Sequence, residues 1–168
     1  MKTVHIIWTT YETWLPQDQR GDWDILKELY SKNSGKYELL EKSKLFDNYK
    51  RHIKSTAVSL SKEEQEFIEK EILILSTNDR IAEGIKIIAV SCSETKVELL
   101  IENDYFEAKQ KVSRFKSRLA TLLSFDFDYS GKNTWSKGIW SANILDEKFK
   151  NEVKHYIENQ KTRTSGST

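Results

Sequence analysis

A change of period in the middle of the chain restricts its fold more than any other feature. From Ser61 to Leu75 the apolar positions recur at helical spacing. Ser61-Lys62-Glu63-Glu64 is a capping box, and Phe67, Ile68, Ile72 and Leu75 follow at three- and four-residue steps. Gly84 then interrupts the chain, and Ile85-Lys86-Ile87-Ile88-Ala89-Val90 reads as a strand. After a polar turn from Ser91 to Thr95, Val97-Glu98-Leu99-Leu100-Ile101 reads as a second strand. Two strands this close in sequence pair as an antiparallel hairpin.

The flanking segments complete the pattern. Val4-His5-Ile6-Ile7-Trp8 is β-rich and mostly apolar, as a buried strand is. Leu15 to Gly21 is a loop that holds the only proline, Pro16. A short helix is predicted from Asp22 to about Tyr30, and another over Lys36 to Ile53. Past the hairpin, Tyr105 to Ser124 is a helix with Val112, Phe115, Leu119 and Leu122 on one face. Asp126 to Asn133 is a loop, and a short strand falls near Ile139–Leu145. Asp146-Glu147 opens a last helix, where acids complement the dipole. The order is strand, helical insert, two hairpin strands, helix, strand, helix. That is the βαββαβ order of an α+β, ferredoxin-like fold, an antiparallel sheet with its helices on one face. A helical insert at about residues 22–83 and an additional C-terminal helix are grafted on it. One domain is expected over residues 1–160, followed by a disordered polar tail, Lys161–Thr168.

Composition limits the chemistry. The chain of 168 residues contains three histidines, His5, His52 and His155, and one cysteine, Cys92. No pair is spaced as a zinc finger, a helical His pair or a Cys-x-x-Cys redox site. A single cysteine excludes an internal disulfide framework, which fits a cytoplasmic setting. No apolar run is long enough to span a membrane, and none has the form of a signal peptide. The formal charge of +1 excludes nothing about nucleic acid, because a local basic stripe can hide within it.

Such a stripe is present. Lys109-Gln110-Lys111-Val112-Ser113-Arg114-Phe115-Lys116-Ser117-Arg118 has five basic residues and no acid. On a helix, Lys111, Arg114 and Arg118 share one side of the apolar stripe, and Lys109 and Lys116 flank the other. These five suit either phosphate contact or a solvated helix face with snorkelling lysines. In the second hairpin strand, Val97, Leu99 and Ile101 share one face, and Lys96, Glu98, Leu100 and Glu102 the other. Read alone, Lys96 and Glu98 are the polar side of an amphipathic strand. In the last helix Phe149, Val153, Tyr156 and Ile157 form an apolar face, so Tyr156 reads as a core tyrosine with a wet hydroxyl. Gln160 lies one turn further on the same side.

Three separated blocks change that reading. The first is His5-Ile6-Ile7-Trp8-Thr9-Thr10-Tyr11-Glu12-Thr13-Trp14-Leu15-Pro16-Gln17-Asp18-Gln19-Arg20-Gly21. The second is the hairpin, from Ala89-Val90 to Lys96-Val97-Glu98-Leu99-Leu100-Ile101. The third comprises Phe115-Lys116-Ser117, Trp135-Ser136-Lys137-Gly138 and Tyr156-Ile157-Glu158-Asn159-Gln160. In order and spacing these resemble the one-tyrosine HUH transposases, which act on single-stranded DNA and include the REP-associated tyrosine transposases. The N-terminal block is similar to a Thr-Tyr-Gly-Thr-Trp-Leu-Pro-Gly-Asp opening, with Glu12 and Gln17 replacing the two glycines.

The resemblance implies a site and a chemistry. In that family two histidines and a polar side chain of the last helix hold a divalent metal. A tyrosine of that helix attacks the scissile phosphate and forms a 5′-phosphotyrosine link. Tyr156 matches the nucleophile, and Gln160, four residues on, matches the helix's metal ligand. Lys96 and Glu98 stand where the two histidines belong. A protonated lysine cannot ligate a metal, whereas Glu98 and Gln160 offer oxygens for Mg²⁺ or Mn²⁺. Lys96 is placed to form an ion pair with Glu98, or to replace part of a metal's charge at a phosphate. The expectation is therefore a transposase-like protein that binds single-stranded or hairpin DNA through Lys109, Lys111, Arg114, Lys116 and Arg118. Its cleavage and strand transfer are expected to be impaired, and a non-catalytic DNA- or RNA-binding descendant is the alternative. Trp8 and Trp14 are candidates either for base stacking or for the core. Many relatives are homodimers and some are monomers.

Overall fold

The N-terminal apolar run becomes the centre of a five-stranded sheet. The computed structural model describes residues 2–18, 23–40, 43–45, 58–77, 85–103, 105–127 and 134–160. Strand β1 (Lys2–Thr9) lies between β4 (Lys96–Asn103) and β5 (Trp140–Ile144), antiparallel to both. Strand β3 (Lys86–Cys92) pairs with β4 as the expected hairpin, with a register shift between Ile87 and Ala89. The spatial order is β2-β5-β1-β4-β3, in which β2 is Tyr37–Leu39. Without β2, this is the ferredoxin-like arrangement of an α+β fold.

The helices are α1 (Asp24–Ser31), α2 (Lys62–Leu75), α3 (Tyr105–Phe127) and α4 (Glu147–Glu158). Local chemistry sets their starts. Ser61 Oγ accepts from the Glu64 amide at 3.1 Å, and Glu64 Oε1 accepts from the Ser61 amide at 2.9 Å, which closes the capping box. Asp146 caps α4, its Oδ2 accepting from the Phe149 amide at 2.8 Å.

Why β1 lacks the alternation of an exposed strand is clear from its neighbours: both of its faces are covered. On one face Val4, Ile6 and Trp8 of β1 and Val97, Leu99 and Ile101 of β4 pack with Ile68 and Ile72 of α2. Val112, Phe115, Leu119 and Leu123 of α3 belong to the same core. Leu123, rather than the predicted Leu122, completes that stripe. On the opposite face Ile7, Leu100, Trp140 and Ala142 pack with Leu26 and Tyr30 of α1 and Phe149, Val153 and Tyr156 of α4. The expected pair of helices on one face is thus α2 and α3, while the insert's α1 and the added α4 form a third layer.

The helix expected over Lys36 to Ile53 does not form at its start. Gly35 turns the chain at φ +86°, and Tyr37–Leu39 then pairs with Ala142–Ile144 of β5. The Tyr37 ring packs 4.6 Å from Tyr30 and 5.8 Å from Phe149, so packing on the third layer overrides helix periodicity. The remainder of that expected helix beyond Leu45, the break at Gly84, the loop at 128–133 and the tail Lys161–Thr168 lie outside the described residues. Asp126, expected in the loop, is still helical at the end of α3.

Candidate functional site

The sheet register brings His5, Glu98 and Lys96 to one face. His5 and Ile7 point the same way along β1, and Ile7 pairs with Glu98 while Thr9 pairs with Lys96. Across this face lies α4, which carries Tyr156 in its last turn, and Gln160 follows just beyond its C-cap, Asn159. Glu98 is completely buried, Tyr156 and Gln160 nearly so. Their convergence follows from the α4 stripe: Phe149, Val153 and Tyr156 must face the sheet to bury their apolar surface, and Tyr156 carries its hydroxyl in with them.

The Glu98 carboxylate is the centre of the network. Its Oε1 lies 3.1 Å from His5 Nε2, and its Oε2 lies 3.6 Å from Lys96 Nζ. The His5 Nδ1 lies 2.7 Å from the Tyr30 hydroxyl. Lys96 Nζ also stands 4.5 Å from the centroid of the Trp23 ring, in cation–π contact. The expected Lys96–Glu98 ion pair is therefore present, and His5 joins it. His5 was not singled out as a site residue from the sequence. A lone imidazole in the run Val4-His5-Ile6-Ile7-Trp8 was the available signal, because a polar group buried there requires partners.

Burial alone would raise the Glu98 carboxyl. The Lys96 ammonium, the His5 hydrogen bond and charge, and a hydrogen bond from Tyr156 together hold it below its ordinary value. Burial pushes the Tyr156 phenol well above its ordinary value, and the Glu98 charge adds to the rise; a hydrogen bond with Gln160 opposes it. Tyr30 is raised for the same two leading reasons, burial and the Glu98 charge. Tyr156 is thus held as the neutral phenol, a weak nucleophile unless a base or cation draws off its proton.

These residues do not fit a divalent metal as they stand. One Glu98 oxygen is engaged by His5 and the other lies 3.6 Å from the ammonium of Lys96, whose positive charge repels a metal ion. Among the described residues no group of three His, Cys, Asp or Glu side chains is placed to hold a metal ion.

The five basic residues lie on α3, beyond the opposite face of the sheet from Tyr156. Arg114 and Arg118 are exposed, and Lys111 Nζ lies 3.8 Å from Glu107 Oε2 one turn away. On the other flank Lys109 and Lys116 line a cleft of about 650 Å³ with Gln17, Ser43, Gly138 and Ile139. Lys116 Nζ donates to the carbonyls of Ser136 and Gly138, each at 3.0 Å, and burial lowers its pKa to about 8. That ammonium ties α3 to the loop before β5. Of the two candidate stacking residues, Trp8 is fully buried in the core, whereas Trp14 lines a surface cleft.

No protein-family profile matches the sequence. No curated protein matches it either. Among solved structures, the chain is similar to a Deinococcus radiodurans R1 protein assigned as a transposase, with 14% identity and a TM-score of 0.37. The match covers 94% of this chain and 89% of that one. No helix among the described residues is long and apolar enough to cross a membrane.

Proposed function

We propose that this chain is a transposase-like protein that binds single-stranded or hairpin DNA, and whose cleavage through a phosphotyrosine link is impaired. The observation that carries the reading is the convergence of Glu98 and Gln160 on the Tyr156 hydroxyl, with the Lys96 ammonium beside the carboxylate. By the resemblance to one-tyrosine HUH transposases, Tyr156 and Gln160 match catalytic positions, and Lys96 and Glu98 stand in place of the two histidines. Attack on a phosphodiester by a tyrosine needs a deprotonated oxygen and a positive charge at the phosphate. Here the carboxylate beside the phenol opposes deprotonation, and Lys96 neutralises that carboxylate instead of a phosphate. DNA binding is assigned to Lys109, Lys111, Arg114, Lys116 and Arg118, through the backbone phosphates. The impaired site equally supports a non-catalytic DNA- or RNA-binding role.

Incubation with end-labelled hairpin DNA and Mn²⁺ tests this. The expected result is salt-sensitive binding with no covalent protein–DNA adduct. An adduct that disappears in Tyr156→Phe would overturn the impairment. No binding even at low salt, where phosphate contacts are strongest, would overturn the reading as a whole. In the double variant Lys96→His, Glu98→His, recovered nicking would localise the defect to those two side chains.

A further inference from the structure

The side of α3 that carries Lys109, Ser113 and Lys116 forms one wall of the cleft of about 650 Å³. Steps of four and three residues align these side chains over two helical turns. Across from them stand Gln17, Ser43, Gly138 and Ile139. Lys116 is half-buried in this lining, so its amine is sheltered from bulk water yet reached from the cleft.

The way Lys116 is held decides its chemistry. Its Nζ donates to the Ser136 and Gly138 carbonyls, each at 3.0 Å. An ammonium has three N–H donors, whereas a neutral amine has two and a lone pair. Loss of one proton therefore leaves both hydrogen bonds in place. The lone pair then takes the position that the carbonyls leave to the cleft. Both acceptors also polarise the N–H bonds, which raises the electron density on nitrogen. Burial supports the same state, lowering the pKa to about 8. At pH 7.5 roughly a quarter of the chains then carry the neutral amine, against about 0.1% for an ordinary lysine.

The rest of the lining favours one class of reagent. Among the described residues the other titratable group of the cleft is Lys109, two turns earlier on α3. Asp18 and Lys137, which follow Gln17 and precede Gly138 in sequence, line the adjoining cleft instead. An electrophile that enters meets an amine nucleophile and a second basic side chain, and no carboxylate from the lining residues. That surrounding suits a reagent whose leaving group is an anion.

We propose that Lys116 is a site of N-acylation by acyl phosphates. The amine lone pair attacks the acyl carbon, the bond from that carbon to the phosphate oxygen breaks, and inorganic phosphate leaves with the electron pair. The nitrogen gives up one proton to solvent. The product amide is neutral and keeps a single N–H, so it serves only one of the two carbonyls. Acylation thereby loosens the tie between α3 and the loop before β5. The modification does not depend on the DNA-binding reading.

Incubation of the folded protein with acetyl phosphate at pH 7.5, with acetylation at each lysine followed by peptide mass spectrometry, tests this. A less basic amine is a weaker nucleophile, as with thiols, so part of the gain in neutral fraction is lost. Lys116 is still expected to react about tenfold faster than the exposed Lys137. Its rate should level off with a midpoint near pH 8, rather than near the ~10.4 of an unperturbed lysine. In denaturant, where the cleft and both carbonyls are lost, the preference should vanish. Equal rates at Lys116 and Lys137 in the folded protein overturn the proposal. A preference that survives in denaturant also overturns it, because it would then belong to the local sequence.

Discussion

Glu12 holds a left-handed backbone, at φ +68°, where side chains other than glycine are strained. This backbone is one that glycine adopts without cost and glutamate does not. Glu12→Gly is expected to be more stable than Glu12→Ala by about 1 kcal/mol. Both variants lose the side chain, so urea denaturation of the pair isolates the backbone; equal stabilities would refute the strain. Glu98 supplies a second residue-scale prediction. Its carboxyl is held below the ordinary glutamate value, so the folded state binds its proton less readily than the unfolded chain. The resulting stability is present above the ordinary glutamate range, ~4.3, and is lost as pH falls through the depressed folded value. Lys96→Met leaves a buried carboxylate without its ammonium and should cost roughly 2–3 kcal/mol at neutral pH. It should also move acid unfolding to higher pH, as measured by melts between about pH 3 and 7. An unmoved acid transition would show that Lys96 and Glu98 are not coupled.

Among the elements, α3 shows how one helix divides its polar residues between solvent and structure. Arg114 and Arg118 face water, while Lys116 ends on two carbonyls of the loop that leads to β5. Because burial disfavours its charge, the folded chain releases the Lys116 proton at about 8, well below an ordinary lysine. Stability should therefore rise with pH from about 8 towards the unfolded lysine value near ~10.4, where the unfolded chain still binds that proton. An NMR titration of Lys116 with a midpoint near 8 would confirm the shift, and one near 10 would refute it. The basic stretch was legible in the sequence because charge and period suffice to find it. The fate of Lys116 was not, since the two carbonyls that hold it come from Ser136 and Gly138, which no local pattern relates to α3. The capping box of α2 was legible for the opposite reason: all its atoms lie within four residues. Strand β2 escaped because its pairing with β5 and the packing of Tyr37 on Phe149 are long-range.

At the scale of the whole molecule, the sheet separates two cores. The element order pointed to the sheet, because β1, β3, β4 and β5 are readable as strands, but not to the second helical layer. That layer depends on β4 presenting Leu100, and β5 Trp140 and Ala142, to the same side as Ile7. For the same reason His5 and Glu98 could not be joined on paper: their contact is set by the β1–β4 register across 93 residues. Phe149 anchors this layer, fully buried and 5.1 Å from the Tyr30 ring. Phe149→Ala should cost about 3–5 kcal/mol. Hydrogen exchange should then quicken more in α1, β2 and α4 than in α2 and α3. A uniform acceleration would show that the two cores open together.

Three residues, Tyr37–Leu39, stand between β5 and the strand of any other molecule. A bare strand edge is a template for intermolecular pairing, and β5, a five-residue strand buried along its whole length, would offer one. Strand β2 covers that row of backbone groups yet is too short to become a template itself. At the opposite rim, β3 begins with the exposed Lys86, and its bulge between Ile87 and Ala89 breaks the regular ladder. With a formal charge of only +1, the chain has little net repulsion to keep copies apart. What opposes edge-to-edge pairing among the described residues is therefore local, at the rims of the sheet.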